Sequence, residues 1–168
     1  NSTTKATFSG GGGLTVSHAS AMVTVGKAQK NDVGGSIATL DLSRLSGVTL
    51  GSDAVAVSEI RVGYGQRCGG TLTLSDTDNL LVAPVLHVGN SNGGNQGSSS
   101  ELILGAGENV LTVDTLNIGL YKAIGTVRFA SQAAGSPGTL TLGGKTRSTV
   151  DMVIGSKKAI QSSTVPKG

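Results

Sequence analysis

The chain is short of cysteine, of aromatic residues and of long apolar runs. A single cysteine, Cys68, in 168 residues excludes an internal disulfide framework. No apolar run approaches the roughly 20 residues that a membrane-spanning helix needs, so we expect no membrane span. Aromatic residues make up 2% of the chain, Trp is absent, and most Lys and Arg residues are scattered. Nucleic-acid binders more often combine a basic stripe with stacking aromatics, so we expect no nucleic-acid partner.

Glycine is what the chain has in excess, with 27 of 168 residues against an average share of about 7%. Charged residues account for only 14% and apolar residues for 37%, which is not the composition of a disordered chain. The core has to be built from Val, Leu, Ile and Ala, and such side chains suit layers of strands. The length suits a single domain.

Five segments share one pattern, in which apolar residues alternate with others and the last Val or Ile precedes a glycine. In four of the five, the position between the two apolar residues is polar, and this period of two predicts strands with one buried face. The five segments are MVTVG (22–26), EIRVG (59–63), VLHVG (85–89), TLNIG (115–119) and DMVIG (151–155).

A second strand-like element precedes four of these segments and ends 12 or 14 residues before the closing glycine. Its four copies are GVTLG (47–51), GTLTLS (70–75), SELILG (100–105) and GTLTLGG (138–144). The remaining variation falls in one connection, which carries an extra strand at ATLDLS (38–43) and at GTVRFA (125–130). Repeated elements at near-constant spacing are typical of stacked repeats, and the glycines would mark their corners.

The pattern predicts an all-β fold, namely a β-solenoid (a parallel β-helix) of about five coils over residues 14–155. A β-sandwich is the alternative, because it also predicts alternation and glycine turns, although not the constant spacing. We expect residues 1–13 to form a flexible or docking segment, and residues 156–168 to form a C-terminal tail.

The GTLTL and LTVDTLNIG phrases, in residues 70–89, 100–119 and 138–155, resemble the glycine-rich solenoid repeats of large secreted and surface proteins. The passenger domains of bacterial autotransporter-type adhesins are the family that they resemble. This resemblance implies a structural role outside the cell or at the cell surface, and it implies no catalytic residues.

No motif for a chemical reaction is present, and we expect no enzymatic activity. His18 and His87 are the only candidate bases for nucleophilic catalysis. His87 occupies the outward position of a strand, equivalent to Arg61 and Asn117, which is more typical of a surface column. Cys68 lies in the RCGG turn context and is interpreted as an incidental thiol or a crosslinking point.

No cofactor is expected, and calcium is the one metal that the sequence raises. Asp76 and Asp78 in the SDTDN segment could supply oxygen ligands to calcium, or could act as a carboxylate pair in a glycosidase. Turn aspartates are common in any case because they bond the local backbone. The nonapeptide of calcium-binding solenoids is absent.

A short stack of coils would present unpaired strand edges at both ends, and such edges invite further pairing. The predicted function is therefore that of an extracellular structural protein, which self-associates through sheet edges into a filament, sheath or adhesin stalk. The alternative is a carbohydrate-binding or carbohydrate-active β-helix module with a glycan as partner. Its binding surface would comprise Arg61, Tyr64, Arg67, His87 and Asn117.

Overall fold

The structure, a computed structural model, describes residues 2–27, 35–93, 96–132 and 137–156. These residues form β-strands joined by turns and loops, and no helix among them is long and apolar enough to cross a membrane. The strands are β1 (Ser2–Ser9), β2 (Gly13–Val16), β3 (Met22–Lys27), β4 (Ser36–Arg44), β5 (Gly47–Leu50), β6 (Glu59–Tyr64), β7 (Cys68–Thr73), β8 (Asp78–Asn90), β9 (Ser99–Leu104), β10 (Glu108–Leu120), β11 (Ile124–Phe129), β12 (Thr139–Gly143) and β13 (Asp151–Ser156).

Two stacked parallel sheets contain all of these strands. The five-stranded sheet has the order β1-β4-β7-β9-β11, and the eight-stranded sheet contains the order β12-β10-β8-β5-β2. The eight-stranded sheet also includes β13 beside β10, β6 beside β8, and β3 beside β6. Along the chain, each repeat contributes one strand to the first sheet and the following strand or strands to the second.

The predicted β-solenoid of about five coils is wrong. The described residues form an all-β structure of two parallel sheets, of five and eight strands, and no closed solenoid is present among them. The β-sandwich alternative does not describe the structure either, because sandwiches of that kind are built from antiparallel sheets whereas these ladders are parallel.

The prediction failed because it aligned strands that belong to different sheets. The GVTLG segment was matched to GTLTLS, but β5 pairs with β8 whereas β7 lies between β4 and β9. The supposed extra strands at 38–43 and 125–130 are regular members of the five-stranded sheet. The near-constant spacing of 12 to 14 residues therefore combined steps between the two sheets with steps inside one sheet.

Long strands in which the alternation of buried residues shifts are a second feature that the sequence pattern did not show. In β8, Leu81 and Ala83 face the core, and the next core residues are Leu86 and Val88, so that the alternation skips one position. Pro84 lies within this skip. The shorter strand β5 pairs with the first half of β8, and β6 pairs with its second half.

The core between the sheets consists of aliphatic columns that run across the strands. In the five-stranded sheet Leu40, Leu72, Leu102 and Val127 lie side by side in register. Leu72 and Leu102, in the middle strands, are fully buried. Burying each such side chain stabilises the fold by about 1.5–3 kcal/mol. Successive layers repeat at the strand spacing of about 4.8 Å, which leaves little room for aromatic rings.

Closing glycines mark one of the two junctions between the sheets, and their backbone is left-handed. All five have φ between 63° and 79°, a region that side chains with a Cβ rarely adopt. A Cβ on Gly89 would lie 2.6 Å from the carbonyl oxygen of Ile124, at the start of β11. We call this row the glycine line, and its members are Gly26, Gly63, Gly89, Gly119 and Gly155.

Buried asparagines mark the other junction. Asn79 donates from Nδ2 to the carbonyl of Ser75 (2.8 Å) and to Oδ1 of Asn109 (2.9 Å), and its Oδ1 accepts from the Ser75 amide. Asn109 repeats the same arrangement with the amide and carbonyl of Gly105. We call the pair the asparagine ladder. The two sides of the stack are therefore chemically different.

Ser2–Ser9, within the segment predicted as flexible or docking, forms strand β1 and pairs in parallel with β4. Most of the predicted C-terminal tail, residues 157–168, lies outside the described residues. The predicted domain limits at residues 14 and 155 stay a prediction.

Candidate functional site

A group of polar side chains lies together on the outer face of the eight-stranded sheet. Alternation along β6 turns Ile60 and Val62 into the core, so the residues on either side of them face outwards. The second half of β8 pairs with β6 and brings its own outward side chains beside them. We call this group the outer cluster, and it comprises Glu59, Arg61, Tyr64, His87, Asn90 and Asn92.

Glu59 and His87 connect the polar contacts of the outer cluster. The Nη2 of Arg61 donates to Oε2 of Glu59 at 2.5 Å, and Nε2 of His87 lies 3.1 Å from Oε1 of the same carboxylate. The Nδ2 of Asn90 lies 3.1 Å from Nδ1 of His87. If the amide donates to Nδ1, the imidazole is neutral and carries its proton on Nε2, which donates to Glu59.

Tyr64 contacts the other residues of the outer cluster through both its ring and its hydroxyl. The guanidinium carbon of Arg61 lies 3.9 Å from the ring centroid, a cation–π contact that occupies one face of the ring. The His87 ring meets Tyr64 edge-on, with centroids 5.5 Å apart. The Tyr64 hydroxyl lies 3.2 Å from Oδ1 of Asn92, to which it can donate. The Nε of Arg61 is buried without a hydrogen-bond partner.

Burial lowers the pKa of His87, the Glu59 carboxylate acts in the opposite direction, and the Arg61 charge lowers the pKa further. The hydrogen bond to Glu59 raises the pKa of Arg61. At neutral pH the cluster therefore holds a charged Glu59–Arg61 pair beside a neutral imidazole. Because both nitrogens of that imidazole are engaged, the arrangement does not favour a role for His87 as a general base.

The structure brings Arg61, Tyr64 and His87 of the predicted binding surface together. Asn117 lies on the adjacent strand β10, directly in register with His87. Arg67 lies apart, in the turn before β7, where it has φ 54° and donates from Nε to the Gln96 side chain.

The calcium candidates Asp76 and Asp78 are exposed at the turn between β7 and β8. Within the described ranges no group of three or more His, Cys, Asp or Glu residues could hold a metal ion, and the calcium hypothesis stays a prediction. Cys68, expected in a turn, begins β7 and is buried, with its sulfur 3.5 Å from the hydroxyl of Ser36.

Glu59, Asn90 and Asn92 were not recognised from the sequence. Glu59 lies two residues before Arg61, so the period of two already placed it on the same face. The asparagines follow Gly89, whose positive φ breaks the alternation, and no simple pattern could have placed them.

Open sheet edges form a second candidate site, at the two ends of the stack. Among the described strands, β1, β2 and β3 each have one neighbour, and so do β11, β12 and β13. We call β1–β3 the N-edge and β11–β13 the C-edge. Their backbone groups on the open side are available for pairing with a further strand.

At the C-edge, the last residue of a core column is apolar but exposed. Leu116 of β10 is 2% exposed, whereas its register partner Met152 on β13 is 48% exposed. Ile154 continues the column of the fully buried Val62 and Val88, and it is 69% exposed.

The N-edge carries the other end of the same columns. Val25, the partner of Val62, begins the column that Ile154 ends. The strands of the N-edge contain two lysines and no acidic residue. One of them, Lys5, lies 3.4 Å from Asp41 of β4. Seven large apolar side chains are exposed on the strands of the two edges, namely Phe8, Met22, Ile124, Leu140, Met152, Val153 and Ile154.

No family model matches the chain, and searches of curated proteins and of solved structures also find no match. A functional hypothesis for the chain therefore has to start from its own geometry.

Proposed function

We propose that the chain is an extracellular or cell-surface structural protein, which self-associates through its sheet edges into a filament, sheath or adhesin stalk. The observation that carries this proposal is that the apolar columns of the core end at Met152 and Ile154 of β13, whose side chains are exposed. A folded monomer gains nothing from large apolar side chains held in register with its core and exposed to water.

The C-edge strands lack several of the features that usually prevent association. Natural edge strands are protected by proline, by charged side chains, especially lysine, or by bulges. The C-edge strands contain no Pro and no Lys, and the core-facing positions of β13 are apolar. Burial of the part of Met152 and Ile154 that is still exposed would contribute a fraction of the about 1.5–3 kcal/mol that full burial of such a side chain gives.

Sedimentation velocity and negative-stain electron microscopy over a range of concentrations test this proposal. We expect the unmodified chain to form larger species as concentration rises. The double variant Met152→Lys/Ile154→Lys should stay monomeric, because burying two unpaired lysine charges between the edge strands of two copies costs free energy.

Ile37→Lys is the matched control. Ile37 is also an exposed apolar residue, but it lies on β4, which has neighbours on both sides. Assembly should survive this substitution. A chain that stays monomeric at every concentration would disprove the proposal, as would equal loss of assembly in the control.

The extracellular or cell-surface location rests on the resemblance of the repeats to those of secreted proteins. Protease treatment of intact source cells tests it, since a chain outside the cell is digested while cytoplasmic markers survive.

A carbohydrate-binding or carbohydrate-active module is the second candidate, and the outer cluster is the surface that could support it. Sugars stack on open aromatic faces, but Arg61 covers one face of Tyr64 and His87 meets the same ring. We therefore place this candidate second. Binding on a glycan array that is lost in Tyr64→Ala, with assembly intact, would move it to first place.

A further inference from the structure

We infer that the copies associate head to tail, so that the C-edge of one copy pairs in parallel with the N-edge of the next. In this arrangement Ile154 of one copy lies opposite Val25 of the next, and Met152 lies opposite Val23. The inference rests on the proposed self-association and specifies its polarity and register.

The internal pairing of the chain supplies the register. Val25 pairs with Val62, Val62 with Val88, Val88 with Ile118, and Ile118 with Ile154. Every step advances by one strand in a parallel ladder. The next step of the same kind takes Ile154 to the beginning of the column, which is Val25 of another copy.

The two edges also match in strand number and direction. Each presents one strand of the five-stranded sheet, β1 or β11, and two strands of the eight-stranded sheet. If the next copy is placed by the same shift that relates neighbouring strands inside the chain, its edge strands pair in parallel with both sheets at once. The contact is heterologous, so it leaves an open edge at each end and produces a fibre rather than a closed dimer.

A head-to-head contact would set unlike surfaces against each other. A two-fold axis perpendicular to the sheets reverses the strands, and it places the glycine line of one copy against the asparagine ladder of the other. A two-fold axis along the strands instead sets the five-stranded sheet of one copy against the eight-stranded sheet of the other. The first contact extends the sheets with antiparallel strands, and the second joins one sheet to the other, so neither repeats the parallel pairing found inside the chain.

The charges at the contact between two copies favour the same head-to-tail polarity. In the head-to-tail register Asp151 meets Met22, and Arg128 meets Thr7, so no like charges oppose each other. Contact between two N-edges would gather the lysines of β1 and β3 from both copies at one seam. No acidic residue of those strands would offset them.

Disulfide trapping between two separately prepared variants tests the polarity. One variant carries Thr24→Cys and the other Val153→Cys, both in a Cys68→Ala background. These positions end one outward-facing column, in which Thr24 pairs with Arg61 and Val153 pairs with Asn117. Paired residues of neighbouring strands lie about 4.8 Å apart, within the range of a disulfide. We expect linked dimers in the oxidised mixture and only background linking in either variant alone.

Met22→Cys mixed with Val153→Cys is the control for register, because Met22 is displaced by two residues along β3. We expect its linking to fall to background. Linking of Val153→Cys with itself would show a head-to-head contact, and strong linking through Met22→Cys would show another register. Either result overturns the inference.

Sedimentation of the unmodified chain separates this inference from the proposed function. If the chain assembles but Thr24→Cys and Val153→Cys do not link, only the polarity and register are wrong. If the chain does not assemble at all, the proposed function fails and the inference fails with it. Each cysteine variant is first checked for unchanged sedimentation under reducing conditions.

Discussion

Both ring nitrogens of His87 are engaged, and this determines how the side chain responds to acid. Its Nε2 faces the Glu59 carboxylate and its Nδ1 faces the Asn90 amide. Protonation of Nδ1 would bring two donors together, and the burial of the ring adds a desolvation cost. Glu59 offsets part of that cost, but burial dominates and the pKa of His87 is lowered.

We therefore expect the free energy of unfolding to fall as the pH drops below about 6.5, the ordinary pKa of histidine. In that window the unfolded chain binds a proton at His87 and the folded chain does not, so stability rises with pH. The loss continues until the pH reaches the lowered pKa of the folded state. Urea unfolding in half-unit steps of pH between about 5 and 7.5 measures the slope directly.

His87→Gln should flatten this pH dependence, and His18→Gln should leave it intact because His18 is exposed. The comparison is made in the Met152→Lys/Ile154→Lys background, which keeps self-association out of the measurement. An unchanged slope in His87→Gln would show that another group is responsible.

At the scale of strands, the sequence predicted best what depends on local alternation. The five segments that end in a closing glycine lie side by side, in register, in the eight-stranded sheet. The adjacency of Arg61 and His87 followed from the same pattern. Alternation does not specify which ladder a strand joins, because the deciding contacts are made with residues about 30 positions away. GVTLG and GTLTLS look alike for this reason, although β5 and β7 belong to different sheets.

The glycine line is the strand-level feature with the sharpest consequence for stability. We expect Gly89→Ala to lower the free energy of unfolding by more than about 1 kcal/mol, because φ is 77° and the new Cβ would lie 2.6 Å from the Ile124 carbonyl oxygen. Gly12→Ala is the control, since nothing lies within 4 Å of its added Cβ. Urea unfolding of both variants decides the matter, and equal midpoints would contradict a steric role for the glycine line.

At the scale of the whole molecule, stability and association are coupled through the same apolar columns. The middle strands bury their share of each column, while the strands of the two edges leave part of theirs in water. A partner strand at either edge removes that surface from water and pairs the open backbone groups. Only folded copies offer such a strand, so assembly shifts the folding equilibrium towards the native state.

Thermal unfolding should consequently depend on protein concentration. Above the dissociation constant, a tenfold rise in concentration adds up to about 1.4 kcal/mol to the stability of the folded state. For a chain of this length that corresponds to about 3–6 °C in the thermal midpoint. Circular dichroism melts over two decades of concentration test this, with Met152→Lys/Ile154→Lys expected to melt at a constant temperature and Ile37→Lys to retain the dependence. A midpoint of the unmodified chain that does not move, in samples that sediment as assemblies, would show that association leaves the core columns exposed and uses some other surface.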